Sequence, residues 1–180
     1  GEADAAVSGL QGLAASQPLD RNNPLDPQNR RISIVVMNRE AEERSADLAR
    51  GLVARGAGKG THVGVLHPNG AAFVVAALAA ARIGAVVVPF STFATGPELR
   101  DQLVHSDTEI LLTADTFRGH DYLARLADVS TPSLRHVIVD NRITESADAE
   151  LVSALEHDVD GCDSLAIIYT SGSTGVPKGA

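Results

Sequence analysis

The sequence predicts an α/β fold, a doubly wound and mainly parallel sheet flanked by helices. Three observations carry this. Short apolar runs of strand character recur about every 24–28 residues, the length of one strand–helix unit with short connections. The stretches between them have helical apolar spacing, and strands separated by helices pair in parallel with both faces covered. Gly, Pro and Asn punctuate the junctions, where the chain must turn.

Residues 1–30 are rich in Ala, Gly, Asn, Asp and Pro and read as a loosely ordered lead-in. A strand is expected at 32–37. Residues 40–55 place Leu48, Ala49, Leu52 and Val53 at helical spacing, with Gly56 and Gly58 as stops. A strand over 62–66 closes at His67-Pro-Asn-Gly70. Residues 71–83 are helical and apolar nearly all round, and 85–88 form a strand. Pro97 opens a helix over 97–106, followed by a strand at 109–113. A short helix at 122–128, a strand at 136–140, a helix at 147–157 and a last buried strand at 165–169 complete the series. Right-handed crossovers leave such a chain little topological choice, and ligands sit beyond the carboxyl ends of the strands.

With 180 residues, the chain is long enough for one full domain. Aromatics are only 3% and Trp is absent, so the core must be built from Ala, Val, Leu and Ile. The net charge of −8 argues against a general nucleic-acid binder, which needs a basic stripe, but leaves room for a small anion held by a local donor cluster. The single cysteine, Cys162, fits a reducing compartment and is expected to be a small packing residue. No secretory signal opens the sequence, and Arg82, Gly84 and Pro89 break up its most apolar run, so a cytoplasmic protein without a membrane span is expected.

The segment Tyr169-Thr-Ser-Gly-Ser-Thr-Gly-Val-Pro-Lys-Gly-Ala180 carries the chemistry. Its glycines let the backbone approach a ligand and turn successive amides toward one point. Thr170, Ser171, Ser173 and Thr174 add hydroxyl donors, and Lys178 adds a mobile cation. Together they suit a polyphosphate. A plain Gly/Ser linker has no reason to follow a buried strand or to hold Pro-Lys-Gly in frame. The Walker pattern is absent, and Pro177 and Gly179 around the lysine argue against a helix opening there.

TSGSTGVPKG (170–179) resembles the phosphate-binding signature of the AMP-forming adenylate ligases: acyl- and aryl-CoA synthetases, luciferases and peptide-synthetase adenylation domains. Residues 38–90, ending in GAVVVPF, are similar to the helix, strand, buried helix and strand that precede it in those enzymes. Residues 91–126 look most like bacterial ligases for fatty or cyclic acids. The resemblance covers about 38–180, the N-terminal part of an AMP-binding domain; Asn38 departs from the aromatic residue usual there.

What the resemblance implies is a ligase that activates a carboxylic acid as acyl-AMP, using ATP with Mg2+, and transfers it to coenzyme A. Thr170, Ser171, Gly172, Ser173, Thr174, Gly175 and Lys178 match the positions that hold the β- and γ-phosphates. The lysine-bearing C-terminal domain, the acyl pocket and the motifs for adenine, ribose and magnesium have no counterpart here, so no catalytic residue is assigned and the 180 residues alone are expected to be inactive. A non-catalytic nucleotide- or partner-binding module is the alternative. A Rossmann-type oxidoreductase is disfavoured, since no G-x-G-x-x-G follows an early strand.

The six histidines lack metal-ligand spacing, so no zinc site is expected. His120-Asp121 invites a catalytic-dyad reading, but a surface turn is the simpler one.

Overall fold

The computed structural model describes residues 39–127, 129–170 and 178–179. The expected strand at 32–37 lies outside them. The chain divides into two compact units, Gly1–Glu42 and Glu43–Ala180, and the architecture below is that of the second.

Helix α1 (Arg39–Ala54) buries Leu48, Ala49 and Leu52, an apolar stripe at three- and four-residue spacing. Then come β1 (His62–Leu66), α2 (Ala71–Arg82) and β2 (Val86–Pro89). Helix α3 (Gly96–His105) starts on a capping box. Thr95 accepts from the Glu98 amide while Glu98 accepts from the Thr95 amide, with Pro97 in the first turn. Strand β3 (Ile110–Thr113) leads to a small hairpin, β4 (Thr116–Phe117) and β5 (His120–Asp121), and to α4 (Tyr122–Leu126). Strand β6 (His136–Val139) and α5 (Ala149–His157) follow.

Four strands form one sheet in the order β2-β1-β3-β6, every pair parallel. Alternate side chains point to opposite faces. Val63, Val65, Val87, Ile110, Leu112 and Ile138 pack under α1, α2 and α5. Leu66, Val88 and Leu111 pack under Leu99 and Leu103 of α3 and Tyr122 of α4. Each fully buried Leu or Ile of this kind contributes roughly 1.5–3 kcal/mol. The core is mostly Ala, Val, Leu and Ile, with only Phe90 and Tyr122 as buried aromatics among the described residues.

Gly64 sits where β1 is most tightly enclosed. A Cβ there would lie 2.6 Å from Phe90 Cε2 and 2.9 Å from both Leu111 Cδ1 and Thr108 Cγ2. The glycine lets the ring of Phe90 lie against the sheet.

Helix α2 carries the chain from β1 outward to β2 on one face, and α3 carries it back past β1 to β3 on the other. The winding reverses at β1. In an open α/β sheet that reversal leaves a crevice at the carboxyl ends of the strands.

The last expected strand differs from the sequence reading. The amide of Val87 donates to Leu165 O at 2.9 Å, and the amide of Ile167 donates to Val87 O at 3.0 Å, so 165–167 runs parallel along β2 through a single bridge. Regular pairing comes later, where β7 (Tyr169–Thr170) meets β8 (Lys178–Gly179) in antiparallel register. Leu165 is 65% and Ile168 48% exposed, because this segment is an edge with one described neighbour rather than a buried strand. Cys162 is exposed too, in the turn before that edge, and does no packing. Helix α5 begins at Ala149 because Asp148 caps it, accepting from the Glu150 amide.

Candidate functional site

The parallel bridge to Val87 aims residues 165–167 along the sheet, so Tyr169 emerges at the carboxyl ends with Phe90 and His67. There a cleft of about 670 Å³ opens, bordered by His67, Phe73, Phe90, Phe93, Phe117, Arg118 and Tyr169 among others. The protein has four phenylalanines, and all four border this one cleft, together with one of its two tyrosines. Much of the protein's aromatic area therefore borders one cleft, the kind of concave, partly apolar surface that small-molecule sites use.

Each wall has a local cause. Asn141, in the turn after β6, adopts φ 57 and donates from Nδ2 to Ala72 O at 3.0 Å. Its Oδ1 accepts from His67 Nε2 at 3.0 Å, which fixes the imidazole at the end of β1. Burial pushes the His67 pKa down and favours the neutral ring. Arg118 and Gly119 both have positive φ, the demand of a tight two-residue hairpin turn between β4 and β5. That turn sets the Arg118 guanidinium 5.3 Å from the Phe117 ring centre and brings a cation to the cleft. Arg125 donates to Ala94 O at 2.9 Å and to Thr92 O at 3.3 Å, holding the loop that carries Phe93. The His120-Asp121 pair is not a dyad: Asp121 caps α4 by accepting from the Ala124 amide, and His120 faces Arg125.

Of the residues read as phosphate ligands, Thr170 lies exposed in β7, one residue beyond the cleft wall. The backbone of Lys178 pairs with Thr170 across the β7–β8 hairpin. The lysine therefore continues in a strand and opens no helix, as Pro177 and Gly179 required. Ser171, Gly172, Ser173, Thr174 and Gly175 lie outside the described residues. The two described ends of the loop are thus brought side by side at the rim. Tyr169, at the base, keeps a raised pKa through burial and stays a neutral phenol.

Sequence reasoning found the loop and missed the cleft. The signal was present in the scarcity of aromatics: Phe90 and Phe93 follow a strand end, and Phe117-Arg-Gly119 reads as a hairpin turn. Among the described residues, no group of three or more His, Cys, Asp or Glu side chains converges to hold a metal, so they supply no built magnesium site.

The parallel sheet, its helices and the hairpin at the strand ends define a doubly wound α/β segment. The model of the AMP-binding enzyme family matches residues 35–180, and the chain belongs to that family. It is 35% identical over 142 residues to a methyl-dioxo-octahydroindenyl-propanoyl:CoA ligase of Mycobacterium tuberculosis, an alignment covering 73% of this chain and 28% of that protein. It is 34% identical over 175 residues to an acetyl-coenzyme A synthetase of Alkalilimnicola ehrlichii, covering 86% and 26%. A solved fatty acyl CoA synthetase of Mycobacterium tuberculosis superposes with a TM-score of 0.60 at 26% identity, over 82% of this chain and 29% of that one. The chain thus spans between a quarter and a third of these relatives' length. No helix among the described residues is long and apolar enough to cross a membrane.

Proposed function

We propose that this chain is the N-terminal, phosphate-binding part of an AMP-forming acid–thiol ligase, with residues 38–180 as its share of the adenylation domain. The observation that carries the reading is TSGSTGVPKG leaving the carboxyl edge of a parallel sheet as one arm of a hairpin and returning as the other. Thr170, Ser171, Gly172, Ser173, Thr174, Gly175 and Lys178 hold the β- and γ-phosphates of ATP. The acid's carboxylate attacks the α-phosphorus, pyrophosphate leaves, and acyl-AMP forms. The thiol of coenzyme A then attacks the acyl carbon and AMP leaves. Both acid and triphosphate are anionic, so positioning and neutralising charge are this segment's contribution. ATP is used together with Mg2+, which the rest of the enzyme mainly holds.

The aromatic cleft beside Tyr169 suits the organic part of a co-substrate and not the triphosphate. Apolar and planar walls favour a fatty or cyclic acid over acetate, and the indenyl-propanoyl and fatty-acyl names of the relatives point the same way. ATP and coenzyme A place the enzyme in the cytoplasm.

The test is acid-dependent exchange of labelled pyrophosphate into ATP. The 180-residue chain alone is expected to be silent. A chimera in which it replaces the matching segment of the Mycobacterium tuberculosis fatty acyl CoA synthetase is expected to exchange. Exchange by the chain alone, or a folded chimera without it, contradicts the reading.

A further inference from the structure

We infer that His105 is a positioning residue for the phosphate loop, fixing through Tyr169 the base of the hairpin from which the loop springs. The inference rests on the reading of 170–178 as a phosphate loop.

The geometry is local and over-determined. Tyr169 donates its one hydroxyl proton to Gln102 O at 3.2 Å. The phenol oxygen is then left to accept, and His105 Nδ1 lies 2.8 Å away. Two hydrogen bonds from the last turn of α3 therefore converge on one phenol. The His105 ring stands edge-on to Tyr169 at 5.8 Å, and Phe90 stacks at 6.5 Å with a 27° tilt. The ring is pinned between α3 and the end of β2. A Cβ at Gly179, the partner of Tyr169 in the hairpin, would lie 3.5 Å from the Tyr169 ring and 3.1 Å from Ile167. Both strands therefore register against this one side chain. Thr170, the first loop residue, is the next residue along.

A histidine at a helix C-terminus has a plainer use, favouring the dipole. That use needs no aimed Nδ1–H and leaves Tyr169 free.

Backbone amide exchange in the 180-residue chain tests the inference. His105→Ala is expected to speed exchange at Thr170 and Gly179 about tenfold, while Val63, Val65 and Leu112 stay within about twofold. His105→Asn, whose amide donates from near the same point, is expected to restore most of the protection. Tyr169→Phe keeps the ring and loses both bonds, so it is expected to match His105→Ala, and the double variant is expected to be no faster than either single one. Unchanged exchange at the hairpin, an equal rise across the sheet, or additive effects would overturn the inference. The ligase reading fails separately: if ATP with Mg2+ leaves the loop amides of the exchange-active chimera unprotected, the phosphate assignment falls while the clamp stands measured.

Discussion

The imidazole of His67 donates to Oδ1 of Asn141 at 3.0 Å, across 74 residues of sequence. One bond joins the end of β1 to the turn after β6, and Asn141 passes the restraint on to the first turn of α2 through Ala72. Burial holds the His67 pKa below its ordinary 6.5, with the bond to Asn141 and the charge of Asp140 opposing. The unfolded chain then takes up a proton first as the pH falls. This contribution to stability is complete above the unfolded value and is lost as the pH drops through the folded one. Urea midpoints compared at about pH 7.5 and about pH 5.5 are expected to fall more for the wild type than for His67→Gln, which keeps a donor but does not titrate. Equal falls would remove His67 from the acid response.

Gly64→Ala is expected to destabilise the sheet by about 1–3 kcal/mol, the range for overpacking a close-packed site. The added methyl meets Phe90, Leu111 and Thr108 at once, and all three side chains are buried with little room to give. Phe90 is also the ring stacked on Tyr169, so the damage extends to the hairpin base. Chemical denaturation reads the first effect, and amide exchange at Thr170 reads the second.

Arg55 binds Glu145 through both carboxylate oxygens, at 2.8 and 2.9 Å. These bonds hold the carboxyl down at about 2, well below its ordinary 4.5. Side-chain NMR titration is expected to show Glu145 still ionised near pH 3, and Arg55→Ala to return it toward the ordinary range. The pair is solvent-exposed, so little change in global stability should accompany the shift.

The elements legible in the sequence were those with strong periodicity and plain punctuation. β1, α2, β2, α3 and β3 lie within one residue of their expected bounds, because the apolar spacing and the flanking Gly, Pro and Asn agree. Residues 165–169 read as a buried strand from apolarity alone. Yet Leu165 and Ile168 point outward, and apolarity does not say whether a strand has one neighbour or two. The hairpin over 116–121 escaped notice since its strands are two residues each and its signal is a positive φ at Arg118 and Gly119. The segment 170–179 stood out because its Gly, Ser, Thr and Lys residues are contiguous. The cleft was not, because His67, Phe90, Phe117 and Tyr169 meet only once β1, β2 and the edge segment lie side by side.

The central claim is that residues 170–178 act on the phosphates of ATP, and Lys178 tests it most directly. A cation beside the departing pyrophosphate stabilises the transition state more than the bound substrate. In the exchange-active chimera, Lys178→Ala is expected to lower kcat/KM for ATP by roughly 10–1000-fold, chiefly through kcat. Wild-type kinetics at every ATP concentration would contradict the claim.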